Sequence, residues 1–281
     1  MKLKFKKMHG CGNDYIYFNC VTYGEFENPN QIATVLSRRN FSIGADGIVL
    51  ICKSEVADFK MRMFNADGSE GKMCGNAIRC VAKFVCDDGM INSNSIKIET
   101  LSGVKTVVVE RKNGLVVAAT VNMGPVSLQP SSIPISGNFE KPLIGHELQI
   151  GEQVFKVTCV SMGNTHCVVF VNNLDDVNLF ELGPKFEKSD FFVNGINTEF
   201  VEVLSSTKLA MKVWERGSGA TLACGTGACA AVVAGVLNGF CELNSNVTVS
   251  LPGGELVVKR TKETVFLTGN AVLAYSGIVE I

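Results

Sequence analysis

Two stretches decide how the chain reads: Met73-Cys74-Gly75-Asn76-Ala77-Ile78-Arg79-Cys80 and Ala223-Cys224-Gly225-Thr226-Gly227-Ala228-Cys229-Ala230. Each sets Cys-Gly at the head of an apolar run, and the two cysteines stand 150 positions apart. Ile78, Val81, Ala82 and Val85 make one stripe of a helix over about 75–88, with Gly89 as its stop. The second run, about 225–238, is apolar all round, the pattern of a helix enclosed on every side. Outward from these cysteines the offset recurs. Leu101-Ser102-Gly103 matches Leu251-Pro252-Gly253, Val107-Val108 matches Val257-Val258, and upstream Gly12-Asn13 matches Gly163-Asn164 at 151. Four matches in one order at nearly constant spacing mark a duplicated half.

The rest of the chain supplies material for sheets. Short β-branched or alternating runs at 48–51, 59–64, 96–100, 106–110, 116–121, 154–160, 167–171, 198–203, 211–214, 247–251 and 257–258 are bounded by Gly, Asn, Asp or Ser. Asn113-Gly114 predicts a tight hairpin. Asn28-Pro29, followed by Ile32, Val35 and Leu36, predicts a further helix with Asn28 as its N-cap. One loose stretch, 125–145, holds four of the seven prolines. The reading is an α+β chain of two pseudo-symmetric halves joined near 124–132, each a mainly antiparallel sheet wrapped around one helix.

Composition removes several function classes. Lys+Arg 26 against Asp+Glu 27 leaves a net charge of −1 and no basic run, so no nucleic-acid partner is expected. The longest apolar stretch, 228–237, is far short of the roughly 20 residues a bilayer span needs, so no membrane partner is expected either. The basic N-terminus is followed by no apolar signal region, which makes a cytoplasmic, reduced chain the expectation. Eleven cysteines and three histidines include no CxxC spacing, so neither a metal site nor a thioredoxin-like motif is predicted. Most of the cysteines read as small buried hydrophobes. The low charge, 19% of residues, permits a homodimer without requiring one.

Cys74 and Cys224 are set apart by the duplication. Each stands at a helix N-terminus, where unpaired N–H groups and the positive dipole end favour a thiolate and bring a cysteine from about 8.5 into the neutral range. Two such groups at equivalent places share one proton, giving one thiolate and one thiol. The N–H groups of Gly75-Asn76 and Gly225-Thr226 form a carboxylate cradle. A base on one face, an acid on the other and a held carboxylate suit removal and return of an α-proton without a cofactor.

These residues resemble the diaminopimelate epimerases. The likeness covers nearly the whole chain: MHGCGNDY at 8–15, NADGSEGKMCGNAIRC at 65–80, VNMG at 121–124, SMGNTHCV at 161–168, ERGSGATLACGTGACAA at 215–231 and LPGGEL at 251–256. It implies two similar domains, each a barrel-like sheet around a central helix, with the C-terminal strand returning to the first: 1–124 with 271–281, and 125–270. It also implies cofactor-independent interconversion of LL- and meso-diaminopimelate, on the route to lysine and peptidoglycan precursors. By the same resemblance Cys74 and Cys224 are the acid/base pair, with Gly75, Asn76, Gly225 and Thr226 on the reacting carboxylate. Asn13, Asn65, Asn164, Asn197 and Arg216 would bind the substrate, mostly its distal end, and Glu215 suits the distal ammonium. His166 and Glu215 would tune the thiols. One departure stands out: where many members carry Gln after the Asp of a Gly-x-Asp-Gln loop, this chain reads Gly44-Ala45-Asp46-Gly47.

Rival readings follow from the same residues. The run 225–230 fits the dinucleotide fingerprint G-x-G-x-x-A, but the preceding strand reads as ending near Trp214, too early for a tight strand–turn–helix. Cys74 and Cys224 could instead form the reversible disulfide of a thiol sensor. A proline- or histidine-type racemase of the same superfamily is a third alternative.

Overall fold

The computed structural model describes residues 2–280. The chain divides into two compact units, one running to Asn122 and resuming at Thr268, the other spanning Met123–Leu267. Among the described residues no helix is long and apolar enough to cross a membrane.

The first unit opens with β1 (Lys2–Gly10) and β2 (Asn13–Asn19), followed by the short α1 (Cys20–Tyr23) and α2 (Pro29–Leu36). Next come β3 (Gly47–Cys52), β4 (Phe59–Asn65), the two-residue β5 (Glu70–Gly71) and α3 (Gly75–Asp87). The unit continues through β6 (Ser95–Thr100), β7 (Gly103–Lys112) and β8 (Leu115–Gly124). β1 and β2 form an antiparallel hairpin, β2 runs parallel to β3, and β3, β4 and β5 pair antiparallel. β4 is parallel to β6, and β6–β7–β8 is an antiparallel meander. Asn113 and Gly114, at φ 53° and 82°, make the predicted turn between β7 and β8. Asn28 departs from expectation. It sits in the left-handed region, φ 55°, and its side chain caps nothing, so the start of α2 is set by Pro29.

The second unit repeats the order. After β9 (His146–Ile150) come β10 (Gln153–Ser161), β11 (Thr165–Val171), α4 (Leu179–Glu187), β12 (Asn197–Ser205), β13 (Lys208–Glu215), β14 (Gly219–Thr221) and α5 (Gly225–Leu237). β15 (Asn246–Leu251), β16 (Gly254–Arg260) and β17 (Val265–Gly269) follow. The hairpin β10–β11, the parallel pair β11–β12, the antiparallel β12–β13–β14, the parallel β13–β15 and the hairpin β15–β16 reproduce the first unit pair for pair. A last strand, β18 (Val272–Glu280), lies antiparallel on β1 and closes the first unit, as β9 does on β10 in the second.

Helices on both faces explain why the middle strands are buried throughout rather than alternating. In the first unit Ile16, Phe18, Ile48 and Leu50 pack against Ala33 and Leu36 of α2. Tyr17 faces the other way, and its hydroxyl donates to the Ala77 carbonyl of α3 at 3.4 Å. In the second unit Val157, Cys159, Cys167, Val169 and Phe200 share a cluster with Phe186 of α4. The alternate residues of those strands, His166 and Glu199 among them, take the opposite face. α4, which contains Pro184, has no counterpart in the sequence reading, although it stands 150 positions after α2.

Candidate active site

Cys74 and Cys224 are the N-cap residues of α3 and α5, in extended backbone, and each Sγ accepts from the N–H three residues on: Ala77 at 3.5 Å and Gly227 at 3.3 Å. Strand ends deliver the other groups. Because β2 pairs with β3, and β3 with β4, the ends Asn13, Gly47 and Asn65 come together beside the head of α3. The equivalent pairings bring Asn164, His166, Asn197 and Glu215 to the head of α5.

In the first unit the Cys74 thiol donates to Asn13 Oδ1 at 3.3 Å, and Asn76 Nδ2 reaches the same oxygen at 3.4 Å. The orientation of Asn13 is fixed by Asp46, whose carboxylate accepts from Asn13 Nδ2 at 2.8 Å and from the Asp14 N–H at 3.1 Å. Arg39 bridges Asp14 and Asp46 at 2.6 and 2.9 Å. Behind Asn76 lies Arg79, with no exposed surface. It donates to Asn76 Oδ1 (2.9 Å), the Gly75 carbonyl (2.9 Å) and the Asn270 carbonyl (3.2 Å), all neutral acceptors. Asn65 is placed at the same sheet end, yet its amide donates to Ser69 at 3.0 Å rather than joining the Cys74 cluster.

Gly47 accounts for the departure at 44–47. A Cβ there would lie 2.1 Å from the Phe64 carbonyl oxygen and 2.9 Å from the Tyr15 ring. The backbones of β3 and β4, with the Tyr15 ring, fill the space a side chain needs.

The second unit is built differently. The Cys224 thiol lies 3.4 Å from Thr226 Oγ1, which accepts from Asn164 Nδ2 at 3.1 Å. Asn164 Oδ1 meets His166 Nε2 at 3.0 Å, and His166 Nδ1 meets Glu199 Oε1 at 2.7 Å. Glu215 accepts from Thr221 at 2.6 Å and bonds the Cys224 thiol. Asn197 donates to the Thr165 carbonyl at 2.6 Å and accepts the Arg216 N–H at 3.0 Å, tying Arg216 to the head of β12. The Arg216 guanidinium donates to the Asn194 carbonyl at 3.2 Å.

The lowered thiol predicted from the helix dipole does not hold for Cys224. Burial, then the negative charges of Glu215 and Glu199, push this thiol well up, outweighing the help of Thr226 and the Gly227 N–H. Burial likewise raises Glu215, against the hydrogen bonds from Thr221 and Cys224. Three groups escaped the sequence reading: Asp46, Arg79 and Glu199. The signal for the last two lay in the repeat, which sets Arg79 against Cys229 and Glu199 against Val49. A charge standing where the other half has a small or apolar residue is placed for something other than packing.

The dinucleotide reading fails on topology. The strand before Gly225 is the short β14, antiparallel to β13, not the parallel strand of a βαβ unit. Among the described residues no group of three or more His, Cys, Asp or Glu is placed to hold a metal ion.

The family model for diaminopimelate epimerase matches residues 5–129 and 158–274. The chain is 51% identical to a diaminopimelate epimerase of Acetivibrio thermocellus, over 99% of each protein. It is 46% identical to one of Methanococcus maripaludis over 99% of this chain and 100% of that protein. Among solved structures, a PhzF-family phenazine biosynthesis protein of Bacillus anthracis is similar in fold with a TM-score of 0.71 at 16% identity, over 100% of both chains. A hydroxyproline epimerase of Agrobacterium vitis, solved with trans-4-hydroxy-L-proline bound, has a TM-score of 0.70 at 14% identity, covering 99% of this chain and 92% of that one. These two likenesses speak to the fold, an α+β arrangement of two domains.

Proposed function

The chain belongs to the diaminopimelate epimerase family, and from that premise we propose that it interconverts LL- and meso-diaminopimelate with Cys74 and Cys224 as base and acid. The observation that carries this reading is the pair itself: at equivalent places in the two units a cysteine caps an enclosed helix, Cys74 against the Asn13 amide and Cys224 against Thr226 and Glu215. A thiolate takes the α-proton, so that the Cα–H bond breaks and an S–H bond forms. The thiol of the second cysteine returns a proton to the α-carbon from its other side, and the two sulfurs have exchanged roles. The α-carbon is a weak acid, so donors must meet the charge that builds on its carboxylate. The N–H groups of Gly75, Asn76, Gly225 and Thr226 serve that purpose at the two helix heads. Arg216, held by Asn197, suits the distal carboxylate as a planar fork, with Asn13, Asn65 and Asn164 as amide partners. Glu215 suits the distal ammonium and, with His166, sets the proton on Cys224. No cofactor is called for.

The substrate is a small zwitterionic amino acid, and the enzyme works in the cytoplasm, supplying lysine and cell-wall precursors. Leu273 and Ile278 are exposed on one face of β18 and suit an apolar homodimer contact.

The test is exchange. Reduced enzyme given LL-diaminopimelate in deuterium oxide should place α-deuterium in both the LL and meso pools. Absence of exchange, or full activity in both Cys74→Ala and Cys224→Ala, would overturn the mechanism.

A further inference from the structure

We propose that Glu199 is a positioning residue for this reaction: its carboxylate holds His166 as an imidazolium, and the pair fixes Asn164 and Thr226 around the Cys224 thiol. The proposal rests on the epimerase reading for its purpose but on the geometry of one unit for its content. Glu199 and His166 are both fully buried, with Nδ1 and Oε1 2.7 Å apart. The proton count follows from Asn164. Its Nδ2 donates to Thr226, so the atom facing His166 Nε2 is Oδ1, and an amide oxygen only accepts. Nε2 therefore carries a hydrogen. With Glu199 ionised, the proton in the 2.7 Å contact sits on Nδ1. His166 is thus a donor at both nitrogens and unfit to act as a base, and the buried charges cancel within the pair.

The surroundings favour a role beyond packing. In the repeat, the place of Glu199 is taken by Val49 and that of His166 by Tyr15, so the fold stands without the pair. Glu199 Oε2 has no hydrogen-bond partner among the described residues, an expense a structural carboxylate would not carry. A Cβ on Gly227 would come within 2.6 Å of Glu199 Oε1, so the glycine lets the carboxylate reach the first turn of α5. The charged and titratable groups that feel it come from three elements: Cys167 on β11, Glu215 on β13 and Cys224 at the head of α5. His166 opposes it at Glu215.

The ring can be read directly. With only three histidines in the chain, imidazole 15N spectra can be assigned through His9→Gln and His146→Gln. At neutral pH, without substrate, wild-type His166 should show two protonated nitrogens. Glu199→Gln, which keeps shape and removes charge, should show one, and its kcat should fall about a hundredfold with KM nearly unchanged. Glu199→Asp, which keeps the charge, should recover part of that loss. A wild-type His166 with a single protonated nitrogen overturns the proposal, and so does a folded Glu199→Gln with wild-type spectrum and kcat. If Glu199→Gln fails to fold, the wild-type spectrum alone decides. Because the spectra need no turnover, their failure is separable from failure of the deuterium exchange.

Discussion

Behind the head of α3 the first unit buries a guanidinium with only carbonyl and amide acceptors, while beside the head of α5 the second unit buries Glu199 and covers much of Glu215. The backbone arrangement around the two cysteines is nearly the same in both units, down to the N–H three residues along. The duplication therefore kept the frame and diversified the charge.

The strongest way to break this contrast is to remove the cation. Arg79→Met strands three buried acceptors, Asn76 Oδ1 and the Gly75 and Asn270 carbonyls, and at about 1–3 kcal/mol for each unpaired group should cost about 3–5 kcal/mol in urea unfolding. The equivalent change in the other unit, Cys229→Ala, removes only a small apolar side chain and should cost about 1 kcal/mol. Equal losses would mean that Arg79 is no more than packing.

Gly47 against Asn197 is the next contrast, since the same sheet position is empty in one unit and occupied in the other. Gly47→Gln should not gain a substrate contact; it should destabilise the first unit by about 1–3 kcal/mol as β3 and β4 part. Asn197→Gly should destabilise by a similar amount, as the Thr165 carbonyl and the Arg216 N–H lose their partner, but should also raise KM. A stable Gly47→Gln variant with lowered KM would reverse this assignment.

The outcome at these positions shows what a single sequence reveals. The repeat was legible because Cys-Gly, Leu-x-Gly and Gly-Asn are backbone signals, fixed by helix starts and turns and hence spelled out locally. From them came the α+β class, the two enclosed helices and the cysteine pair. α4 was not legible, because Pro184 interrupts a pattern that tertiary packing against Phe200 sustains. Glu199 hid inside a strand run whose alternation is masked by burial on both faces. Arg79 stands inside an apolar run with no local signal, and only its bonds to Asn76, Gly75 and Asn270 show that the guanidinium is enclosed.

A smaller effect tests the thiols themselves. Cys74 is partly exposed and Cys224 is buried at 5% exposure beside carboxylates, so iodoacetamide at neutral pH should label Cys74 about tenfold faster. Mass spectrometry of the two peptides gives both rates in one experiment, and equal rates would remove the asymmetry.

The smallest effect is on stability against pH, and it has opposite signs at Asp14 and at Cys224. Asp14 is raised by its partial burial but held low overall by hydrogen bonds from Arg39 and Lys7. Its contribution is present above the ordinary aspartate value, about 4, and is lost as pH falls below it. Cys224 is raised, so its contribution is intact below the ordinary cysteine value, about 8.5, and declines as pH climbs beyond it. Hydrogen exchange resolved by segment should show the segment around Asp14 loosening in acid and the head of α5 loosening in alkali.

The strand β18 carries a consequence for how the molecule is made. The second unit is one unbroken stretch, complete once Leu267 has left the ribosome, whereas the first begins earlier and finishes later. Until Val272–Glu280 arrives, β1 has a bare edge along the register from Lys2 to His9, and Arg79 lacks the Asn270 carbonyl. The half synthesised first must therefore wait for the half synthesised second, and β18 finishes the scaffold under Cys74. A ribosome stalled before residue 270 would carry one folded domain and one open sheet, a template for unwanted strand pairing that ends only at release.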